Sequence, residues 1–405
     1  MQFIREILFI IALIVLTQHL FAADFSGKYS FDGAANKEPM LQQNQLQANG
    51  NYSFSMFESK AALRLKHDFI LANDTEMEFS IEELFIVMAP NELIKITAGK
   101  KLTFFSKTDE INPLDFATPE DYSYFLHFDK AQRAMANNLL QIDLLLTDTA
   151  NLSFFYFPEH KKNKLPAAES QWSTNTQWDL SRYQIIQDEN GQKAQTAAIL
   201  SLVDFFGDWS VVAFYGQPLL PQYEKVLVLS PTPSIYFKES TERHFASGFS
   251  WAHATSFFTF RFEYAYHTNN SYIADEAYLN LPRPYYQTVG AIEYLAESGF
   301  ACNLQYVREE IIDYDIVISQ KQIVDFFTLQ LSDSLAIDEL LYKFRFALPA
   351  TSNEGFYGKL LLEYSVGDHY LISGGYAFFT GEGLDGLFSQ YKNNSYLFAH
   401  LSANL

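Results

Sequence analysis

Apolar and polar residues alternate along most of this chain. Over residues 257–267 one row reads Phe258, Phe260, Phe262, Tyr264 and Tyr266, and the interleaved row carries Thr259, Arg261, Glu263 and His267. Residues 341–348 set Tyr342, Phe344, Phe346 and Leu348 against Lys343 and Arg345. Residues 359–366 set Leu360, Leu362, Tyr364 and Val366 against Lys359, Glu363 and Ser365. Phe300, Cys302, Leu304 and Tyr306 alternate with Asn303 and Gln305. Successive side chains of a strand point to opposite sides, so each segment is predicted to be a strand with one greasy and one polar face.

The connections between these segments come in two kinds that take turns. Short ones fall at 89–92, 147–150, 207–208, 253–255, 297–299 and 367–368, and long polar ones at 106–130, 160–191, 219–241, 268–284 and 380–394. An up-and-down antiparallel β-barrel with tight turns at one rim and loops at the other requires this alternation. The spacing predicts about 18 strands, with 16 as the next even number. The last segment runs Leu397, Ala399, Leu401, Ala403, Leu405 to the carboxyl terminus, as barrel closure against the first strand would ask.

The first residues have a different character. Arg5 precedes an apolar run over 7–16, then Thr17, Gln18, His19 and the small pair Ala22–Ala23. That order predicts a secretory signal peptide over 1–22, leaving 23–405 as a single domain outside the cytoplasm. The run is about half the ~20 residues of a spanning helix, and later apolar runs are broken by charged residues. A membrane crossing would therefore be made by strands, the other arrangement that satisfies the backbone in lipid. The short turns are expected on the periplasmic side and the long loops outside.

Composition sharpens this picture. One cysteine excludes a disulfide scaffold and a multi-thiolate zinc site. A formal charge of −20 speaks against nucleic acid, whose binding rests on Lys and Arg. Counts of 38 Phe and 25 Tyr exceed the needs of an ordinary soluble core. They suit aromatic girdles at two membrane interfaces, with Tyr264, Tyr266, Tyr294, Tyr364 and Tyr376 as candidates. A soluble all-β protein also alternates, with its apolar rows turned inward. So many strands closed into one soluble barrel would leave an interior that side chains do not fill.

Residues 81–116 read IEELFIVMAPNELIKITAGKKLTFFSKTDEINPLDF. This stretch resembles the porin-like outer-membrane barrels of Gram-negative bacteria that include the DUF1302-type and alginate-export-type proteins. The shared pattern is an acidic strand (Glu82 or Glu83), the Pro90–Asn91 turn, Gly99–Lys100 and the loop motif Asn112–Pro113–Leu114–Asp115. Residues 154–158, ahead of a long loop, are similar as well. Where Trp-Gly commonly follows Gly-Lys, this chain has Phe104–Phe105–Ser106. The resemblance implies the barrel architecture and no one transported substrate.

Locally, Pro113 fixes its own φ and holds Asn112 extended, while Asn112 and Asp115 can bond nearby backbone. This segment is read either as a loop folded inward to narrow a pore or as a solvated surface loop. If the polar rows face a lumen, its wall carries Arg64, Lys66, Arg261, Lys343, Arg345 and Lys359 against Glu76, Glu78, Glu82, Asp143, Glu263, Glu293 and Glu363. Such a mixed wall sets a transverse field and admits water and small polar solutes. Glu76, Glu78 and Glu82 share a face and read as a calcium site or, more simply, a solvated wall. The loop carrying Trp172 and Trp178 is a candidate for binding a partner or capping the barrel.

Catalytic signatures are absent. No H-E-x-x-H, Walker loop or Gly-x-Ser-x-Gly occurs, and Gly248–Phe249–Ser250–Trp251–Ala252 lacks the second Gly of a nucleophile elbow. Ser250 and His253 are close in sequence, and Cys302 falls in an apolar row as a small filler. The expectation is a monomeric or trimeric outer-membrane barrel acting as a passive channel, without cofactor, metal or covalent chemistry. Its partners would be outer-membrane lipids, small polar solutes or ions and the barrel assembly machinery. A loop-occluded barrel serving surface interaction, and a barrel exporting a hydrophobic or polymeric solute, are the alternatives.

Overall fold

A computed structural model describes residues 24–35, 39–54, 57–68, 77–108, 111–123, 133–166, 172, 184–186, 193–220, 223–228, 234–239, 242–273, 280–318, 320–334, 340–350, 354–382 and 386–404. The expected signal segment, Glu76, Trp178 and the terminal Leu405 lie outside the described residues, as do the side chains of Arg64, Lys66 and Glu78.

Eighteen strands form one closed antiparallel sheet. The first seven are β1 (Asp24–Ala35), β2 (Pro39–Phe54), β3 (Phe57–Asp68), β4 (Met77–Asn91), β5 (Ile94–Lys101), β6 (Asn137–Thr147) and β7 (Ala150–Phe157). Next come β9 (Gln195–Asp204), β10 (Gly207–Gly216), β13 (His244–Ala254), β14 (Phe258–Ile273), β15 (Asn280–Leu295) and β16 (Ala301–Ile311). The remainder are β17 (Ile323–Ser334), β18 (Leu340–Pro349), β19 (Phe356–Val366), β20 (Tyr370–Thr380) and β21 (Tyr396–Asn404). Each pairs with its neighbour in chain order, and β21 closes on β1 from Lys28↔Asn404 to Ala35↔Leu397. Closure leaves no free edge, the problem that open sheets must otherwise manage. Three short strands, β8 (Gln184–Ile186), β11 (Tyr223–Val228) and β12 (Ser234–Glu239), form a separate sheet within the long connections.

The period of two decides which side chains point where. On β10 Val211 is 53% exposed and its neighbour Val212 is fully buried. On β7 Phe154 and Tyr156 are exposed while Ser153, Phe155 and Phe157 are buried. The exposed row continues around the sheet through Leu84 and Ile86, Leu200 and Leu202, Phe258, Phe262 and Tyr264, Leu304, Leu360 and Leu362, and Leu397 and Leu401. These residues make a continuous apolar belt on the outside, far beyond the scattered apolar exposure of a water-soluble surface. Among the described residues no helix is long and apolar enough to cross a membrane.

Several expected connections move; β4 runs through the expected Pro90–Asn91 turn to Asn91, so that turn is Glu92–Leu93, and β13 runs on to Ala254. The turn between β9 and β10 is Phe205–Phe206, and Gly207 already heads β10. Gly207 has φ +124°, and a Cβ there would lie 2.2 Å from the Ala252 carbonyl oxygen, so only glycine fits this close approach. The stretch 268–284 is mostly strand, because β14 continues to Ile273 and β15 begins at Asn280. Its polar residues looked like loop but serve the ladder. Thr268 Oγ1 accepts from the Phe245 N–H at 3.1 Å and donates to the Phe245 carbonyl at 3.0 Å, and a bulge then restores register at Asn270↔Arg283.

Candidate functional site

After Lys101 the chain does not rise away from the barrel but runs along its inner face. Phe105, Leu114, Phe116 and Ala117 are buried against Leu139 of β6, Phe155 and Phe157 of β7, and Ala197 of β9. They also meet Val212 and Phe214 of β10, Ala246 of β13 and Ala265 of β14. Small inward residues on β9, β13 and β14 make room for this loop. At Gly248 of β13 a Cβ would stand 2.1 Å from Leu114 Cδ2, so the glycine forms the seat for that leucine.

Polar contacts fix the same segment. Asp115 is buried and its Oδ1 accepts from the Phe105 and Ser106 N–H groups, the second at 3.0 Å. The Asp115 N–H donates to the Asn112 carbonyl at 3.2 Å, and the Thr118 N–H to the Asp115 carbonyl at 3.2 Å. Asn112–Pro113–Leu114–Asp115 is thus a turn whose aspartate side chain ties it back to the run that follows β5. Thr118 Oγ1 donates to the Thr103 carbonyl at 2.5 Å.

Glu263 is the second anchor. It stands on the inner row of β14 with no exposed surface. Its carboxylate accepts from Ser106 Oγ at 2.7 Å, from the Thr108 N–H at 3.2 Å and from the Lys107 N–H, and Thr108 Oγ1 lies 2.9 Å away. A buried carboxylate surrounded by donors is the arrangement that offsets its desolvation. The wall residue expected to face water is therefore covered by the loop it holds. Burial, with Asp208 and Glu263 opposing it, lowers the Lys107 ammonium from its ordinary range.

Further out, the loop is stitched to its neighbours. Asp121 and Lys164 form a parallel bridge, with Tyr122 N–H to the Lys164 carbonyl at 2.7 Å and Lys164 N–H to the Glu120 carbonyl at 2.9 Å. The Asn163 N–H reaches the Leu219 carbonyl at 2.9 Å, joining the connection after β10. Arg133 donates to Glu120 at 2.8 Å and lies over the Tyr122 ring. Burial beside Glu120 raises the Tyr122 phenol well above its ordinary value. Trp172, from the connection between β7 and β9, is buried among Phe379, Tyr391 and Tyr396, with ring centroids 5.8–6.0 Å apart. Its partners belong to β20, the connection that follows it and β21, far around the barrel from β7.

The remaining wall residues expected from the sequence sit on the inner rows as follows. Asp143 accepts from Ser153 Oγ at 2.6 Å and from Gln141 at 2.8 Å. Glu82 accepts from Gln47 at 2.9 Å. Arg261 pairs with Glu293 at 2.9 Å. Arg345 donates to Gln330 at 2.6 Å and stands directly across from Lys359, whose ammonium lies 4.6 Å from the Phe398 ring centroid. Lys343 and Glu363 share that inner face of β18 and β19 by their register. Glu83, which the sequence offered only as the alternative to Glu82 in the family pattern and not as a wall residue, is a buried carboxylate that pairs with Lys60 at 2.5 Å and accepts from the Leu102 N–H at 3.0 Å. A bulge in β3–β4 pairing turns both Glu82 and Glu83 inward, and two-residue alternation cannot foresee it. Ser250 and His253 do not meet: Ser250 is buried on the inner row, and His253 stacks on Trp251 of the outer row.

No family model and no curated protein matches this chain. Solved structures do match it in fold. OccAB3 of Acinetobacter baumannii aligns at TM-score 0.55 and 7% identity, over 95% of this chain and 98% of that one. OccK8 (OprE) of Pseudomonas aeruginosa aligns at TM-score 0.55 and 9% identity, over 94% and 96%. OccK2 (OpdF) of the same organism, solved in complex with glucuronate, aligns at 0.55 and 6% identity, over 95% and 97%. These neighbours are Gram-negative outer-membrane porins, and at such low identity the likeness is one of fold.

Proposed function

We propose that this chain is an outer-membrane channel for passive diffusion of small polar solutes or ions through a water-filled lumen. The observation that carries the reading is the pairing of a continuous outward apolar belt with a closed sheet of 18 strands. Barrels of 16–18 strands are too wide for side chains to fill and leave an aqueous channel. Residues 102–122 act as the constriction, held to one side of the lumen by Glu263 and Asp115. The opposite wall, with Lys343, Arg345 and Lys359 near Glu363, supplies the positive side of a transverse field. Residues 1–22 are the export signal, and the likeness of residues 81–116 to DUF1302-type and alginate-export-type barrels belongs to the same reading. The glucuronate-bound neighbour fits a solute of this size and polarity.

A second reading draws on Trp172 and the Asp121–Lys164 bridge. They fasten the long connections to one another and to distant strands, so the same barrel can be held occluded and act through its outer surface. Swelling of proteoliposomes in isosmotic sugars and amino acids of graded size separates the two. Size-dependent swelling by the refolded 23–405 protein supports the channel, and no swelling with protein shown to be inserted supports the occluded barrel.

A further inference from the structure

We infer that the turn rim from β9 to β15 is a docking surface for a short, basic amphipathic protein segment. At the tip between β9 and β10, Phe205 and Phe206 are 90% and 67% exposed, with their rings in edge contact at 5.6 Å. Two-residue hairpin turns ordinarily use Asn, Asp or Gly, so paired phenylalanines are out of place there. A built frame holds them out. Asp204 Oδ1 accepts from the Phe206 N–H at 2.8 Å and from Trp209 Nε1 at 3.2 Å. Trp251 Nε1 donates to the Phe206 carbonyl at 2.9 Å, and the Trp209 and Trp251 rings lie 6.0 Å apart on the outward rows of β10 and β13.

The apolar patch continues past this tip. Phe257, in the turn between β13 and β14, is exposed, and its carbonyl accepts from the Leu295 N–H at 2.9 Å. Leu295 is exposed and continues the inner row of Glu293, and exposed Val203 continues the inner row of Ser201. Apolar surface thus runs from the tip over the lip to the lumen side. Lipid reaches the outward rows alone, so a membrane anchor accounts for Trp209 and Trp251 but not for Val203 and Leu295. Charge then selects the occupant. Asp204, Asp208 and Glu297 are exposed within the patch, and Asp208 stands directly across from Val203. Residues 199–215, 244–260 and 284–307 hold no lysine or arginine. The cations closest in the fold are matched: Arg261 pairs with Glu293 at 2.9 Å, and Lys107 of the inner loop faces Asp208 and Glu263. Side chains of this number and size offer on the order of 300–600 Å², below the about 800 Å² per partner of a standard interface. That area suits one short segment rather than a folded domain or a second barrel. Its leucines or phenylalanines would meet the rings, and its lysines or arginines the carboxylates and ring faces. The channel reading above sets this rim in the periplasm, and docking itself does not depend on conduction.

The probe is a short fluorescent peptide of Leu and Lys at helical spacing, with a twin that carries Glu for Lys. Anisotropy is read against the refolded 23–405 protein in zwitterionic nanodiscs, with empty nanodiscs subtracted. The Lys peptide is expected to bind, more weakly as salt rises, and the Glu twin is expected not to. Phe205→Ser with Phe206→Ser should weaken binding at least tenfold, and Asp208→Asn with Glu297→Gln at least fivefold. Both pairs spare Asp204 and the two indoles, so the turn keeps its frame. No binding to wild type, binding unmoved by either pair, or equal binding of the two peptides overturns the inference. A second measurement places the tip itself. Phe205→Cys in a Cys302→Ser background, carrying a fluorescent label, should be quenched by aqueous iodide and not by spin-labelled lipid. Quenching by lipid makes the tip a membrane anchor and overturns the docking surface. Silent bilayers would sink the channel reading alone, since none of these readings needs an open pore.

Discussion

Replacing Glu263 tests whether one carboxylate holds the inner loop in place. In Glu263→Ala the N–H groups of Lys107 and Thr108 and the hydroxyl of Ser106 lose their acceptor. The Thr108 hydroxyl keeps one, since the Ile111 carbonyl is 2.5 Å away. Hydrogen bonds to a charged group contribute about 1.5–3 kcal/mol each, and water entering from the lumen recovers part of that, which leaves a net loss of about 3–5 kcal/mol. Leu114 and Phe116 remain buried and stabilise the other half of the loop by about 1.5–3 kcal/mol each. The substitution should therefore release residues 104–108 while 113–118 stay seated. At about 1.4 kcal/mol per tenfold, hydrogen exchange should rise by roughly two hundredfold to several thousandfold at 104–108, and open-channel current should become noisier. Glu263→Gln, which retains one acceptor oxygen, should fall between. Exchange within threefold of wild type at 104–108 in Glu263→Ala would refute the latch.

Three other outcomes follow from the same structure. Leu114→Ala empties the seat over Gly248 and should destabilise the loop by about 2–5 kcal/mol, read as faster exchange at 113–118 with barrel unfolding unchanged. His160 has its pKa lowered by burial from 6.5 to about 4, so its contribution is complete above pH 6.5 and is lost as pH falls towards 4, by about 3 kcal/mol. Acid should speed exchange at 158–166 in wild type, and His160→Gln should remove that dependence; equal pH responses in the two proteins would contradict the assignment. Leu360→Arg, in the outward row of β19, should lower folding stability in vesicles by about 2–4 kcal/mol if that row meets lipid. A change near zero is what a water-facing surface would give.

The rows that build the barrel were legible because strand periodicity is local. Phe258 to Tyr266 and Leu360 to Val366 face outward as their alternation predicts, and the even strand count followed from turns and loops taking turns. What sequence could not show depends on long-range register. Glu263 reads as one more polar residue of an inner row, and only the folded loop brings Ser106 to it from far along the chain. The Glu82–Glu83 bulge and the polar continuation of β14 through Thr268 likewise arise from cross-strand pairing. Gly248 carried no motif, yet its missing Cβ is what admits Leu114. Asn112–Asp115 was visible as a turn, and its placement against β13 was not.

Single-channel recording of the refolded 23–405 protein in a planar bilayer under a salt gradient tests the central claim most directly. The account predicts stable conductance steps, with a reversal potential displaced from zero in the direction that the balance of wall charges sets. A silent bilayer, from protein confirmed to be folded and inserted, would contradict it and leave a barrel whose work lies in its outer loops.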